Sequence, residues 1–208
     1  MCLAMTAGSV CALDPIELPP ADTAGGKPLM QCLAERQSIR AYDPKPLPEQ
    51  VLSNLLWAAW GINRPEAGKH TAPSASNRQE IDVYVTTARG VYLYDPAGHS
   101  LQPVMEGDLR AATGSQPYVA EAPINLVYVA DTAKMRMPRE EYVSFYAAAD
   151  TGFIAQNVYL FCASEGLGCC VRGLVDREGL AEKLGLRPEQ RVVLAHSVGY
   201  PKPGAEAH

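Results

Sequence analysis

The chain has 208 residues, of which 47% are hydrophobic, and a formal net charge of -5. That length suits one domain, and the apolar share is ample for a core. The acidic balance, with no basic stripe, argues against a nucleic-acid partner, and no run approaches the roughly 20 apolar residues of a membrane span.

Residues 1–12, MCLAMTAGSVCA, are small and apolar. Val10-Cys11-Ala12 resembles a small-residue cleavage site, but no basic segment precedes it. Two readings stand side by side: a truncated signal segment, favouring a periplasmic or exported protein, and a disordered tail, favouring a cytoplasmic one. Residues 13–28 are rich in proline and glycine and read as an extended arm without its own core, of the kind that lies across a partner subunit. Residues 1–28 are thus an N-terminal extension, 29–202 the domain, and 203–208 a disordered tail.

Pro28 opens a helix expected over Leu29 to Gln37. Next come Arg36, Ser38 and Arg40, at alternating positions. In an extended segment these three side chains share one face. Two guanidinium groups flanking a hydroxyl suit a phosphate; a solvated basic loop accounts for the spacing equally well. Pro48 to Trp60 is the clearest helix, with an apolar face that includes Val51, Leu52, Leu55, Leu56 and Ala59, stopped by Gly61. Trp57 and Trp60 read as core or interface residues.

Residues 63–79 have no periodicity and are long for a plain connection, which marks a functional loop or an ordinary surface one. Ser74 is placed to cap a short helix bearing Asn77, Arg78 and Gln79. His70 is either functional or exposed and idle. Ile81 to Thr87, Gly90 to Asp95 and Ser100 to Val104 read as an antiparallel meander. A helix is expected over Leu109 to Gly114, capped by Asp108. Ala122 to Ala130 fits a strand buried on both faces. Asp131 to Glu141 reads as a mobile excursion, with Met135 and Met137 as solvated loop residues rather than pocket lining.

Phe145 to Glu165 is the longest helix. Small residues in its first half permit close approach, and apolar residues on almost every face place it either at the centre of the core or at a subunit interface. Gly166 and Gly168 end it. Cys169 to Val175 is a short strand or loop, followed by a helix over Arg177 to Leu184 capped by Asp176, and a last strand over Arg191 to Tyr200. The six cysteines match no zinc spacing. They read as buried small thiols; a vicinal redox pair of Cys169 and Cys170 is the alternative. The order of elements is an α+β pattern without a GxGxxG, Walker A, HExxH or GxSxG motif.

Arg36-x-Ser38-x-Arg40 after a helix, Pro73-Ser74-x-x-Asn77-x-Gln79 before a strand, the long small-residue helix, Gly166-Leu167-Gly168, Arg172-Gly173 and Val198-Gly199-Tyr200-Pro201 occur in this order. The set resembles the nitroreductase family of flavoproteins over about residues 29–202. Within it, the chain looks most like the branch related to dehydrogenases that oxidise azoline rings in peptide maturation. The resemblance implies a central, mostly antiparallel sheet flanked by helices, an intertwined homodimer, and an FMN in each of two interface clefts. It implies ping-pong transfer of hydride from NAD(P)H to a small-molecule acceptor such as a nitroaromatic or quinone. Dehydrogenation of a ring or C–C bond, and a flavin- or ligand-binding module without turnover, are the alternatives.

On this resemblance Arg36, Gln37, Ser38 and Arg40 would hold the phosphate with Lys202, and Ser74, Asn77 and Gln79 would meet the ring edge and ribityl hydroxyls. Cys170, Val171, Arg172 and Gly173 would pass beside the ring, with backbone N–H groups facing its developing negative charge. No catalytic side chain is named, because the cofactor carries the chemistry. Two departures from the family pattern stand out: Lys202 is the only basic residue near the C-terminus, and the residues around Gln79 lack the aromatic that many relatives carry just beyond it.

Overall fold

The computed structural model describes residues 13–205; the cleavage-like Val10-Cys11-Ala12, Cys2 and Cys11, and residues 206–208 of the tail lie outside the described residues. Its centre is an eight-stranded sheet. The strands on its main path are β1 (Ile16–Glu17), β2 (Tyr42–Asp43), β5 (Ile81–Thr86), β6 (Gly90–Asp95), β7 (Ser100–Glu106), β8 (Ile124–Asp131) and β10 (Gln190–Pro201). They run in the order β1-β7-β6-β5-β8-β10-β2, and β9 (Gly168–Arg172) pairs with β10 off that path. Every described pair is antiparallel. The remaining strands, β3 (Ile62–Arg64) and β4 (Lys69–His70), form a separate hairpin.

The helices are α1 (Leu29–Glu35), α2 (Glu49–Trp60), α3 (Thr132–Met135), α4 (Glu140–Glu165) and α5 (Arg177–Leu184). β8 shows why the sheet is a layer between them: all eight of its residues are buried, and successive side chains face opposite ways. Leu126 and Tyr128 join the core under α2 and α4, with Leu55, Leu56, Ile154 and Val158. Val127 and Val129 join a second core under α5, with Leu180, Leu184 and Val192. Each such fully buried side chain contributes about 1.5–3 kcal/mol relative to exposure.

Several local expectations change. The proline-rich arm lies on its own chain: Ile16 pairs with Leu101, Leu18 is buried, and the carbonyls of Pro19 and Pro20 accept from Ser53 and Gln50 of α2. α1 stops at Glu35 because Arg36 is already extended (φ -57°, ψ 125°). The charged stretch after β8 is not an excursion. Asp131 caps α3 through Ala133 N–H at 3.1 Å, Met135 is fully buried, and α4 starts at Glu140. The periodicity there is masked by the charged residues of two helix starts. The helix expected after Asp108 is a single 3-10 turn over Arg110–Thr113.

α4 is not buried all round. Val143, Ala147, Asp150, Thr151, Ile154, Val158, Tyr159 and Cys162 form its inward stripe. Tyr142, Phe145, Tyr146 and Phe153 stay exposed on the far side, and Leu29, Met30 and Leu33 are exposed on α1.

Candidate functional site

Tyr159 is the pivot of the first half of the site. Its hydroxyl lies 2.8 Å from Ser38 Oγ and accepts the Val171 N–H at 3.1 Å. Because that oxygen accepts from Val171, its own hydrogen is free to go to Ser38. The Ile39 N–H donates to the Cys169 carbonyl at 2.9 Å. One tyrosine and one backbone bond therefore fasten the Arg36–Arg40 segment to the outer edge of β9. This is the residue that motif spacing missed; its signal was a tyrosine inside an apolar helix, which reads as core.

The Arg36 guanidinium sits 5.2 Å over the Tyr159 ring, a cation–π contact. Arg36 is half-buried and Arg40 exposed. Among the described residues neither forms an ion pair, although the chain is acidic overall. Two guanidinium groups left without a carboxylate beside a serine hydroxyl are the donor set for a phosphate. A cleft of about 530 Å³ lies beside Tyr159; Lys27, Glu35, Gln37, Ile39 and Lys202 line it in part, and Arg36, Ser38 and Arg40 do not. The Lys202 N–H donates to Ala41 at 3.1 Å, and its ammonium pairs with Glu121 at 2.7 Å. That pair is half-exposed, so it is worth no more than about 1 kcal/mol and yields readily to a stronger anion.

β9 divides its side chains between two faces. Cys170 faces Tyr118, whose hydroxyl is 3.8 Å from its Sγ. Arg172 does not reach the cleft. Its guanidinium turns into the core and donates to Thr113 O (2.5 Å), Asn125 Oδ1 (2.8 Å) and Ser197 Oγ (3.1 Å), with Nε left without a partner. Burial pushes its pKa below the ordinary arginine value. Gly114 is needed for this arrangement, since a Cβ there would collide with Nη1 of Arg172. Gly173, by contrast, is exposed, and a Cβ there would meet Leu194 at an ordinary 3.7 Å. Among the described residues nothing requires glycine at 173.

The second half of the site is the loop from Ser74 to Glu80. No helix forms; there is one 3-10 turn, Ala75–Asn77, and Ser74 Oγ reaches across it to accept the Gln79 N–H at 3.0 Å. Ser76, Asn77 and Gln79 all have left-handed φ near 50°. The Gln79 amide donates to Gly68 O at 2.7 Å and to Asn77 Oδ1 at 3.3 Å. Asp150 of α4 accepts the Ala75 N–H at 2.8 Å. Behind the loop Glu80 is fully buried, and neither carboxyl oxygen receives a hydrogen bond. Burial chiefly, and the nearby Asp150 carboxyl in addition, raise its pKa to about 7 against the opposing pull of Lys134. His70 is buried rather than idle at the surface: it stacks on Trp60 at 4.0 Å, with Nδ1 2.6 Å from the Trp60 carbonyl. Burial lowers its pKa.

α4 measures the separation of the two halves. Asp150 holds the loop and Tyr159 holds the arginine segment. Nine residues of helix place them about 13 Å apart along the axis and about 180° apart around it. Both are buried, at opposite flanks of the inward stripe. Within one chain, then, Arg36, Ser38, Arg40, Val171 and Lys202 come together, while Ser74, Asn77 and Gln79 stand apart from them.

Comparison with known proteins agrees with this architecture. Residues 33–200 match the Nitroreductase family. A protein of Methanocaldococcus jannaschii, provisionally named a nitroreductase, is 33% identical over 150 residues, which are 67% of this chain and 75% of that protein. A crystal structure from Ralstonia eutropha JMP134, also provisionally named a nitroreductase, is 42% identical and superposes with a TM-score of 0.87, covering 92% of this chain and 93% of that one. The Escherichia coli microcin synthetase complex, solved with a truncated pro-microcin bound, shares the fold at 20% identity and a TM-score of 0.71, over 80% of this chain and 68% of its own. Among the described residues no group of metal-ligating side chains is present, and no helix is long and apolar enough to cross a membrane.

Proposed function

Because the chain belongs to the nitroreductase family of oxidoreductases, we propose that it is an FMN-dependent enzyme that takes hydride from NAD(P)H and passes it to a small electrophile such as a nitroaromatic or quinone. The observation that carries the reading is the pair of guanidinium groups, Arg36 and Arg40, without carboxylate partners among the described residues, on either side of Ser38. FMN has the phosphate this donor set suits, and when bound it supplies the hydride-accepting chemistry.

The residues have distinct tasks in this reading. Arg36, Ser38 and Arg40 bind the phosphate, and Lys202 turns from Glu121 to help them. Tyr159 orients Ser38 and fixes β9, so that the backbone after Val171 runs along the ring. Gly173, for which the described residues impose no steric need, leaves room for close approach. Asn77 and Gln79 supply neutral amides that both donate and accept. Since α4 separates them from the arginine segment, they serve the site of a second copy. The exposed apolar faces of α1 and α4, Leu29, Met30, Leu33, Phe145 and Phe153, support a homodimer as the working unit.

Anaerobic mixing with each nicotinamide tests the reading: NADH or NADPH should bleach the bound flavin within one turnover, and a nitroaromatic or quinone should restore the colour. A flavin that neither nicotinamide bleaches would favour the second reading, a dehydrogenase oxidising a ring or C–C bond, for which the shared fold of the microcin synthetase complex is the support.

A further inference from the structure

Among the described residues four charged side chains are buried: Glu80, Asp131, Asp150 and Arg172. Asp131 pairs with Arg187 at 2.7 Å, Asp150 accepts the Ala75 N–H, and a carboxyl such as Glu80 can take up a proton. Arg172 has none of these recourses. A guanidinium keeps its proton in a protein, and among the described residues no carboxylate pairs with this one. It is 4% exposed. Its partners are Thr113 O, Thr113 Oγ1, Asn125 Oδ1 and Ser197 Oγ, at 2.5 to 3.3 Å, and these three residues are fully buried themselves. Hydrogen bonds to neutral oxygens solvate a cation but leave its net charge in place. A buried charge without an opposite one is costly, yet glycine at 114 makes room for it. The described chain thus holds a positive charge in its core and supplies no anion to match it.

The charge also has a particular place. The Cys169 carbonyl accepts the Ile39 N–H, and the Val171 N–H goes to the Tyr159 hydroxyl. These bonds mark Cys169 and Val171 as residues whose backbone groups point away from β10, to the outer edge of β9. Gly173 is next in that row, and it is exposed. Arg172 lies between Val171 and Gly173, with its guanidinium buried behind the edge.

We propose that Arg172 is the counter-charge for the electrons stored at this edge: without touching the cofactor, its fixed positive charge favours reduced over oxidised FMN and raises the reduction potential of the site. The inference rests on the FMN reading above, in which the backbone after Val171 runs along the ring. A hydride brings two electrons and one proton, so FMN becomes one charge more negative on reduction. The missing anion of the Arg172 pocket is then present only in the reduced state, and a charge that favours one redox state over the other shifts the equilibrium between them. Thr113, Asn125 and Ser197 keep water from the guanidinium, so its field is weakly screened and acts without contact.

The test is the two-electron potential of FMN bound to the full-length chain, measured by anaerobic equilibration with reference dyes in the wild type, Arg172→Gln and Arg172→Lys. The wild type should bind reduced FMN more tightly than oxidised FMN, which places its potential above that of free FMN. Arg172→Gln keeps an amide donor and removes the charge. Its preference for reduced FMN should drop about tenfold, a fall of about 30 mV for a two-electron couple. Arg172→Lys loses the planar fork and keeps the charge, so most of that fall should be absent. A purely structural role would move both variants alike. A wild-type potential below that of free FMN, an unchanged potential in Arg172→Gln, or a fall in Arg172→Lys as large as about 30 mV would overturn the proposal. The first and third of these decide even where Arg172→Gln does not fold. A wild type that takes up no FMN sinks the FMN reading and this inference with it; a yellow protein whose potential ignores the charge at 172 sinks this inference alone.

Discussion

The Arg36–Arg40 segment and the Ser74–Glu80 loop are two ligand-ready stretches held in opposite ways. The first is relaxed and extended, clamped by the Tyr159 hydroxyl and one backbone bond to β9. The second is strained. Three of its non-glycine residues are left-handed, at a cost of about 1–3 kcal/mol each, and a buried carboxyl pair lies behind them. A phosphate grip needs only charge and reach, so its backbone can be ordinary. Amides that meet a ring edge must be aimed, and the loop holds them in a backbone shape that Asp150 and Ser74 maintain.

Removing the charges tests the relaxed half most severely. The double variant Arg36→Ala/Arg40→Ala loses two charge-assisted contacts and should weaken FMN binding by roughly 3–6 kcal/mol, at about 1.5–3 kcal/mol for each, with little change in melting temperature. Fluorescence titration with FMN reads this directly; unchanged affinity would place the phosphate elsewhere.

The strained half should instead respond to pH. Glu80 titrates at about 7 in the folded chain, well above an ordinary glutamate. A group raised in this way stabilises the fold fully below its unfolded pKa, and that contribution is lost as pH rises through the folded value. Stability should therefore fall between about pH 4.5 and 7.5 by on the order of 3 kcal/mol. Glu80→Gln, which carries no charge, should flatten that slope in chemical denaturation; an unaltered slope would assign it to another group.

Tyr159→Phe sharpens the contrast from the other side. It keeps the ring under Arg36 but leaves the Val171 N–H without its acceptor, which should cost about 1–3 kcal/mol of stability, without touching the pH slope of the loop. Amide exchange at Val171 should accelerate; an amide protected as before would mean that the clamp is elsewhere. The smallest effect belongs to Glu121→Gln. Freeing Lys202 from a half-exposed pair should tighten FMN binding by less than about 1 kcal/mol, and added salt should erase the gain.

Much of this contrast was legible in the sequence, but unevenly. The long helices, the meander, the buried strand and the alternation at 36, 38 and 40 follow from periodicity and turn residues. Phase around α4 was not legible, because Asp150 and Tyr159 acquire meaning only from what each touches. The loop conformation escaped as well, since Asn and Gln are compatible with a capped helix, and only the left-handed backbone at Ser76, Asn77 and Gln79 together with the Ser74–Gln79 bond excludes one. Arg172 was expected beside a ligand by position, yet its neutral partners Thr113, Asn125 and Ser197 come from three distant segments.

The central claim is that the arginine segment is half of an FMN site completed by a second copy. Titrating the purified apo chain with FMN, followed by absorbance and by mass in solution, tests it most directly. The account predicts a yellow dimer that takes up one FMN per chain and loses that uptake in Arg36→Ala/Arg40→Ala. A chain that stays colourless at saturating FMN, or a monomer that binds FMN as tightly as the dimer, would contradict it.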